Sequence, residues 1–253
     1  MIAEFSLAGR NALVTGAGRG IGTGIAEVLA EAGANVAVNA LTDKYLAPFV
    51  KDLDQRSGRN IIGLAGDCTS AEGAAQLVSR AVAALGDIDI LVNNLGDAIA
   101  KPFEALSDQE IEQVMGLNIM SAIYCTRAVA PSMMARKKGK VINISSFSGV
   151  GGSANLSIYA VGKTGMVGLT RSLALEWAAH GINVNCIAPG FYPDAAMAGP
   201  EQFAKAEARA KTQVPLQRVG KFREVGLLAL YLASPASDYM TGQTISLDGG
   251  LTV

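Results

Sequence analysis

The stretch TGAGRGIG, from Thr15 to Gly22, decides the fold of this chain. It follows a short apolar segment and precedes a segment with helical periodicity, so it reads as a strand, a glycine-rich turn and a helix. Glycines allow backbone N–H groups to approach a pyrophosphate, and the positive end of a helix dipole favours its negative charge. The stretch therefore predicts a dinucleotide-binding turn, and a glycine-rich turn without a ligand is the alternative.

Outward from this turn, short β-branched segments alternate with longer helical patterns along the chain. The predicted strands are 12–15, 36–39, 61–65, 88–93, 140–145, 183–187 and 243–247. The predicted helices are 21–32, 71–85, 108–136, 157–180 and 222–233. Apolar strands that alternate with helices predict an α/β fold with a doubly wound parallel sheet of seven strands and helices on both faces, the Rossmann fold.

The chain shows no sign of a division into domains. No linker rich in glycine and serine, block of like charges or internal repeat interrupts it, so we expect one domain over residues 1–253. The segment at about 191–217 breaks the alternation and is predicted to be a loop with a short helix. It follows the sixth strand, at the carboxyl edge of the sheet where ligands bind in such folds. We expect it to form a substrate loop or lid.

Composition excludes several other classes of protein. Of the 253 residues, 50% are hydrophobic and 17% are charged, and the net charge is −1. These values favour a large core and offer no basic surface to a nucleic acid or a membrane. The cysteines Cys68, Cys125 and Cys186 are far apart, which predicts reduced thiols in a cytoplasmic protein and neither a disulfide nor a metal site.

Three polar residues indicate proton transfer. Tyr159 and Lys163 are four residues apart in a predicted helix, so both lie on one face. A tyrosine with a pKa of ~10 is a poor acid–base catalyst at neutral pH, and a neighbouring ammonium is expected to lower that pKa. Ser146 follows a predicted strand and is suited to hold a carbonyl oxygen on which charge develops. A bound nicotinamide would supply the hydride.

The chain resembles the short-chain dehydrogenase/reductase family, and in particular its members similar to 3-oxoacyl-ACP reductases. The motifs follow one another over practically the whole chain: TGAGRGIG, Asn93-Asn94-Leu95-Gly96, Asn118, Ser146, Tyr159-Ala160-Val161-Gly162-Lys163, Pro189-Gly190 and Asp248-Gly249-Gly250. The resemblance implies an NAD(P)(H)-dependent oxidoreductase that interconverts a ketone and a secondary alcohol by hydride transfer. It implies that a tyrosine is the general acid and base of this reaction.

The resemblance also assigns roles to individual residues. It implies that Asn118, Ser146, Tyr159 and Lys163 are catalytic, that Lys163 also holds the nicotinamide ribose, and that Asn118 helps to hold a water in the proton path. The implied cofactor-binding residues are Gly16, Gly18, Arg19, Gly20, Ile21, Gly22, Asn39, Asp67, Cys68, Asn94, Gly96, Tyr159, Lys163, Pro189, Gly190, Tyr192 and Asp194. For Asp67, Cys68, Asn94 and Gly96, a strand-end cap or a tight turn is the alternative.

The end of the second predicted strand bears on cofactor choice. An NAD enzyme usually has Asp or Glu about 20 residues after the glycine-rich turn, where it holds the ribose 2′-hydroxyl. Here that stretch reads Asn39-Ala40-Leu41-Thr42. No carboxylate repels a 2′-phosphate, and Arg19 is available to pair with one. The sequence therefore favours NADP(H), with NAD(H) as the alternative.

Two positions depart from the pattern of the family. Leu95 replaces an alanine, and its bulk is expected to affect the loop beside the cofactor. Asp194 replaces a threonine whose hydroxyl usually meets the nicotinamide carboxamide in the family. A carboxylate accepts from the carboxamide NH₂ group but cannot donate to its oxygen.

The substrate is the least constrained part of the sequence-based interpretation. The residues expected to face it are Ser146, Ser148, Tyr159, Asp97, Phe191 and Met197. They indicate a partly apolar pocket with a few polar groups. The family offers β-ketoacyl thioesters, sugars and polyols, and small cyclic ketones, and the sequence does not select among them.

The resemblance implies a homotetramer in which the helices that carry Asn118 and Tyr159 pack across a two-fold axis. The alternative to an enzyme is a catalytically silent, nucleotide-binding regulatory protein of the same fold. The presence of all four catalytic positions counts against this alternative.

Overall fold

The computed structural model describes residues 2–253, except for the side chains of residues 196–198. The side chain of Met197, one of the expected substrate contacts, therefore lies outside the described residues. A parallel sheet of seven strands forms the centre, in the order β3-β2-β1-β4-β5-β6-β7. The strands are β1 Asn11–Val14, β2 Asn35–Ala40, β3 Ile61–Ala65, β4 Ile90–Asn93, β5 Gly139–Ile144, β6 Ile182–Pro189 and β7 Thr244–Leu247.

The helices lie on both faces of this sheet. They are α1 Ile21–Glu31, α2 Asp43–Ser57, α3 Ala71–Leu85, α4 Asp108–Met115, α5 Ser121–Arg136, α6 Ser148–Gly151, α7 Ser157–Trp177, α8 Ala195–Gln213 and α9 Phe222–Ala233. The strand order and the two helical layers confirm the predicted doubly wound Rossmann fold. None of the helices within residues 2–253 is both long enough and apolar enough to cross a bilayer.

Alternation along the strands builds two separate cores. In β1, Val14 belongs to a buried cluster shared with α1 and α9, whereas Leu13 belongs to a cluster shared with α3, α5 and α7. Successive side chains of a strand point to opposite faces, so every central strand contributes to both clusters. Burial of a leucine side chain stabilises the fold by roughly 2 kcal/mol. The apolar strands of the sequence are thus explained by burial on both faces.

Helices α1 and α9 approach each other very closely. A Cβ built on Gly24 would lie 2.5 Å from the backbone carbon of Phe222, and one built on Gly226 would overlap the Gly24 carbonyl oxygen. The backbones are therefore in contact at this crossing, and no larger residue fits there. This contact fixes α1, and with it the glycine-rich turn, against the rest of the domain.

The structure differs from the predicted helices in four details. The helix predicted over 108–136 is divided by a π-helical turn, Gly116–Met120, although its capping box at Ser107 is present. Helix α2 was not predicted. The segment 191–217 contains more helix than expected, because α8 runs over 19 residues with a kink at Gly199, where φ is 72°. The helix predicted over 157–180 ends as a 3₁₀ turn, Ala178–His180.

Candidate active site

The glycine-rich turn has a shape that only glycine permits at two positions. Gly16 has a φ of 62°, and a Cβ built on it would lie 2.7 Å from the Leu95 Cα. A Cβ on Gly22 would lie 2.6 Å from the Ala17 Cα and 2.7 Å from the Asn94 Nδ2. Side chains at these positions would push the turn away from β4 and from α1. The sequence motif is thus a packing requirement as well as a means of approach for a ligand.

The N-terminus of α1 faces the carboxyl edge of the sheet without a protein cap. Gly20 is the N-cap residue, with a φ of 64°, and no described side chain accepts a hydrogen bond there. The first N–H groups of a helix have no partners within the helix, so this end suits an anion. Arg19 beside it is exposed. The Asp194 carboxylate also approaches, since a Cβ built on Gly20 would lie 3.8 Å from its Oδ2.

Hydrogen bonds join the ends of β1 and β4 beside this turn. The Asn94 side-chain amide donates to the carbonyl oxygens of Thr15 (3.0 Å) and Gly16 (2.9 Å). The Asn94 backbone N–H donates to Thr15 Oγ1 (3.1 Å). Thr15 therefore positions the loop after β4, a role that the sequence motif contained but that we did not assign. Leu95 packs against the core cluster of α3 and α5, so its bulk is accommodated there.

At the end of β2 and β3, the implied cofactor residues have internal partners. The buried Asn39 side-chain amide donates to the carbonyl oxygens of Leu64 (2.9 Å) and Gly66 (3.0 Å). Asp67 Oδ1 accepts from the N–H (2.8 Å) and the hydroxyl (2.7 Å) of Thr69. Cys68 is buried behind them. The Asn39 and Asp67 side chains thus join or cap strand ends in this structure.

Ser146, Tyr159 and Lys163 lie at the carboxyl end of β5. Lys163 is buried, and its Nζ lies 5.7 Å from the centre of the Tyr159 ring and donates to the Ile144 carbonyl oxygen (3.0 Å). A single hydrogen bond to the protein does not replace the hydration of an ammonium, so burial lowers the pKa of Lys163 to about 8.

The expectation that Lys163 lowers the pKa of Tyr159 was wrong for this structure. Burial raises the pKa of Tyr159 above its ordinary value, a hydrogen bond with Ser146 opposes this rise, and the negative charge of Asp97 adds to it. The Lys163 ammonium is directed to the Ile144 carbonyl, which weakens its effect on the phenol. Tyr159 therefore holds its proton at neutral pH.

Asn118 lies in the π-helical turn and contacts the same group. Its side-chain amide donates to the carbonyl oxygens of Val114 (2.8 Å) and Asp97 (2.6 Å). Its Oδ1 is buried, with no hydrogen-bond partner among the described residues. A Cβ built on Gly96 would lie 2.6 Å from both this Oδ1 and Lys163 Nζ. Only a glycine at position 96 leaves room for the Asn118 amide oxygen and the Lys163 ammonium.

Two of the remaining expected substrate contacts, Phe191 and Ser148, have partners within the protein. The Phe191 ring lies 5.4 Å from the Phe147 ring, and the Arg209 guanidinium of α8 lies 5.0 Å from the centre of the Phe191 ring. The Ser148 and Ser153 hydroxyls form a hydrogen bond (2.7 Å). Phe147 and Arg209 were missed by the sequence analysis, because only the fold brings the loop after β5 and helix α8 to Phe191.

Tyr192 and the Pro189-Gly190 pair belong to the packing between β6 and β7. The Tyr192 hydroxyl donates to the Leu247 carbonyl oxygen (3.0 Å), and burial raises the pKa of Tyr192 to about 12. A Cβ built on Gly190 would lie 2.6 Å from the Asp248 Cα. The structure therefore places Tyr192 shortly before α8, with its hydroxyl hydrogen-bonded to β7.

A cavity of about 710 Å³ lies at the opposite edge of the sheet, at the amino ends of β5 and β6. Its lysines are paired with acids, Lys138 with Asp89 (3.1 Å) and Lys140 with Asp238 (2.8 Å). The strands separate it from the polar group at the carboxyl edge. We assign no part of the chemistry of that group to this cavity.

A doubly wound sheet with a glycine-rich turn and a tyrosine–lysine pair at its carboxyl edge defines a dinucleotide-binding oxidoreductase. A family model described as enoyl-(acyl carrier protein) reductase matches residues 16–252. A solved structure of a short-chain type dehydrogenase/reductase from Mycobacterium marinum has a TM-score of 0.91 and 33% identity, and covers 98% of each chain. This chain belongs to the short-chain dehydrogenase/reductase family, as the resemblance predicted.

Relatives with named activities are also similar over almost their whole length. The 2-dehydro-3-deoxy-D-gluconate 5-dehydrogenase of Dickeya dadantii is 38% identical, over 97% of this chain and 96% of that protein. A 3-oxoacyl-[acyl-carrier-protein] reductase of Staphylococcus aureus is 35% identical, over 96% and 98%. The structure of a gluconate 5-dehydrogenase from Burkholderia cenocepacia J2315 in complex with NADP and tartrate has a TM-score of 0.90 and 33% identity, over 98% and 97%. These relatives confirm the predicted enzyme class, a short-chain NAD(P)-dependent dehydrogenase/reductase.

Proposed function

We propose that this enzyme interconverts a ketone and a secondary alcohol by hydride transfer with NADP(H), and that Tyr159 is its general acid and base. The observation that carries the proposal is the meeting of Ser146, Tyr159 and the buried Lys163 at the carboxyl edge, on the side of the glycine-rich turn. A buried lysine costs stability and is kept where its chemistry is needed, and perturbed titratable groups concentrate at reaction sites.

The residues present fit a dinucleotide. The uncapped N-terminus of α1 suits its pyrophosphate, and the closely packed Gly16 and Gly22 keep side chains out of its path. When bound, the nicotinamide supplies or accepts the hydride. The exposed Arg19 would pair with a 2′-phosphate, and the buried Asn39 presents no carboxylate to oppose it. The NADP complex of the Burkholderia cenocepacia relative also supports NADP(H). A KM for NADH about tenfold below that for NADPH, roughly 1.4 kcal/mol, would contradict this preference.

The chain's own groups carry the proton transfer. In the reductive direction the Tyr159 hydroxyl donates its proton to the substrate oxygen, and the Ser146 hydroxyl holds that oxygen as charge develops. The raised pKa of Tyr159 keeps the phenol protonated at neutral pH, which suits this direction. Lys163 would hold the nicotinamide ribose, and the buried Asn118 Oδ1 would support a water that returns a proton to Tyr159.

The substrate is proposed as a small ketone or secondary alcohol that enters beneath α8. The aromatic rings of Phe147 and Phe191 favour a partly apolar pocket, with Asp97 and Ser148 as its nearby polar groups. One named relative is a 5-dehydrogenase of 2-dehydro-3-deoxy-D-gluconate and another is a reductase of a 3-oxoacyl-[acyl-carrier-protein], so one is named for an oxidation and the other for a reduction. We further propose a homotetramer that works in the cytoplasm, as the sequence analysis expects.

The variant Tyr159→Phe tests the proposal. It removes the transferable proton and keeps the ring, so kcat for carbonyl reduction should fall at least about 100-fold while NADPH binding stays within about twofold. The rate is followed by NADPH absorbance over a panel of ketones, and binding is followed by fluorescence. Tyr239→Phe is the matched control, because Tyr239 is fully exposed.

Two results would contradict the proposal. If Tyr159→Phe turned over the same ketones at the rate of the wild type, Tyr159 would not be the proton donor. If the wild type bound NADPH but reduced none of a broad panel, the silent regulatory alternative would be favoured.

A further inference from the structure

The Asp194 carboxylate lies beside the N-terminus of α1, which is suited to an anion. Asp194 directly precedes α8, and its Oδ2 lies 3.8 Å from a Cβ built on Gly20, the N-cap residue of α1. Gly20 itself carries no side chain and α1 has no side-chain cap, so little protein separates this carboxylate from the site of a pyrophosphate. A negative charge therefore stands beside the place where a second negative charge would bind.

Such a charge acts differently on the two redox forms of a nicotinamide nucleotide. Both forms carry the same phosphates, but the oxidised ring is cationic and the reduced ring is neutral, so the reduced form is more negative by one charge. A nearby carboxylate repels the phosphates of both forms equally. In the oxidised form, attraction between the carboxylate and the cationic ring offsets part of this repulsion, and in the reduced form nothing does. The carboxylate therefore changes the ratio of the affinities for the oxidised and the reduced nucleotide, even if it weakens the binding of both.

We propose that Asp194 is a specificity-determining residue that makes the site prefer NADP⁺ over NADPH. The inference rests on the proposed function, in that the site must bind NADP(H). A bound dihydronicotinamide would give up a hydride from its C–H bond to the carbonyl carbon and become cationic, and the carbonyl π-electron pair would move to the oxygen, which takes the Tyr159 proton. The Asp194 carboxylate stabilises the positive ring, so it shifts the equilibrium on the enzyme towards the alcohol.

The sequence departure at this position supports the same role. A threonine, which the resemblance places here, is neutral and would act on both redox forms alike. Asp194 supplies a charge instead, and the structure keeps it at the glycine-rich turn, next to the lid helix. A residue that served only to begin α8 would leave the relative affinity of the two nucleotides unchanged.

Dissociation constants of the two nucleotides measure the effect directly. NADPH and NADP⁺ are titrated into the wild type and D194N at low ionic strength, with binding followed by calorimetry. In D194N the ratio of the NADPH constant to the NADP⁺ constant should fall about three- to tenfold, mainly through tighter NADPH binding. Added salt should reduce the difference between wild type and variant.

The matched control is Glu201→Gln, which removes a carboxylate from the same helix. Glu201 is an exposed carboxylate whose charge solvent screens, so its loss should leave the ratio within about twofold of the wild type. D194T, which restores the neutral hydroxyl, should behave like D194N. Melting temperatures of the variants without nucleotide establish that they are folded.

Different results separate this proposal from the proposed function. If D194N changed both constants by the same factor, or neither, the role of Asp194 would be overturned while the enzyme's function stood. If the wild type bound neither nucleotide, the proposed function would be overturned, and this inference with it.

Discussion

At the scale of one residue, burial of the Lys163 ammonium lowers the stability of the folded state. Its ammonium is buried and has a hydrogen bond to the Ile144 carbonyl oxygen, and its pKa is lowered to about 8. In the unfolded chain a lysine has a pKa of about 10.4. The folded state must therefore hold a proton at neutral pH that its surroundings disfavour. Such a cost is typical of a residue kept for its chemistry.

The variant Lys163→Met should stabilise the protein without nucleotide at neutral pH. Because the folded pKa lies below the unfolded one, wild-type stability should rise as the pH increases from about 8 to about 10.4, by up to roughly 3 kcal/mol from this group. Lys163→Met lacks the charge, so its melting temperature at pH 7 should exceed that of the wild type by a few degrees, and the gap should close towards pH 10. Thermal melts across this range measure it.

Lys51→Met is the control for this prediction, because Lys51 lies exposed on α2 and should show no such gap. A Lys163→Met protein that melts below the wild type at pH 7 would mean that the ammonium stabilises the folded state.

The sequence predicted which residues form the candidate site, but it did not predict the directions of their side chains. The need for glycine at Gly16 and Gly22 follows from the motif, and the structure supplies the clashes that explain it. The spacing of Tyr159 and Lys163 places both on one face of α7, but a lysine has four rotatable bonds. Whether its ammonium faces the phenol or the Ile144 carbonyl depends on β5, which no local pattern describes.

At the scale of elements, strands were easier to predict than helices. Each strand is a short apolar segment buried on both faces, so its composition identifies it. Helix α2 escaped prediction because it buries only Leu46 and Leu53 and contains Pro48. The π-helical turn at Asn118 escaped because it changes the hydrogen-bond register and leaves the apolar pattern of α4 and α5 almost continuous.

At the crossing of α1 and α9, the contribution of close backbone packing to stability can be compared with that of a surface ion pair. Gly226→Ala should force the two helices apart and cost about 1–3 kcal/mol, since the new Cβ would overlap the Gly24 carbonyl oxygen. Arg223 and Glu31 form a two-pronged ion pair across the same two helices (2.9 and 2.7 Å), but both side chains are exposed. Arg223→Ala should therefore cost less than about 1 kcal/mol.

Urea unfolding of the two variants and the wild type measures both costs. Equal losses, or a larger loss for Arg223→Ala, would mean that the ion pair and not the backbone contact joins α1 to α9. Because the N-terminus of α1 is the proposed site of the pyrophosphate, Gly226→Ala should also weaken NADPH binding, whereas Arg223→Ala should not.

At the scale of the whole molecule, the parallel order of the strands explains why the sequence predicted that the site residues lie together. The segments that follow β1, β4, β5 and β6 all emerge at the carboxyl edge of a parallel sheet, so motifs far apart in sequence meet there. Contacts with α8 were not predictable in this way. Arg209 lies over the Phe191 ring although the two are 18 residues apart and on different segments, a contact that no local pattern describes.

The outer face of α7 supports the proposed assembly. Val161, Gly168 and Leu175 are spaced by seven residues, which is two helical turns, so they lie on one side of the helix. Val161 is 54% exposed and Leu175 is 85% exposed, and a Cβ built on Gly168 would meet no atom within 4 Å. An apolar, open face on the helix that carries Tyr159 suits contact with the same face of a second copy around a two-fold axis.

Leu175→Glu should therefore break this contact, because it places a charge opposite its own copy in a buried interface. Light scattering after size exclusion should show a tetramer for the wild type and a smaller species for Leu175→Glu. Val82→Glu on α3 changes another partly exposed apolar residue and should leave the mass unchanged. A wild type that is already monomeric, or a Leu175→Glu protein with the mass of the wild type, would contradict an assembly through α7.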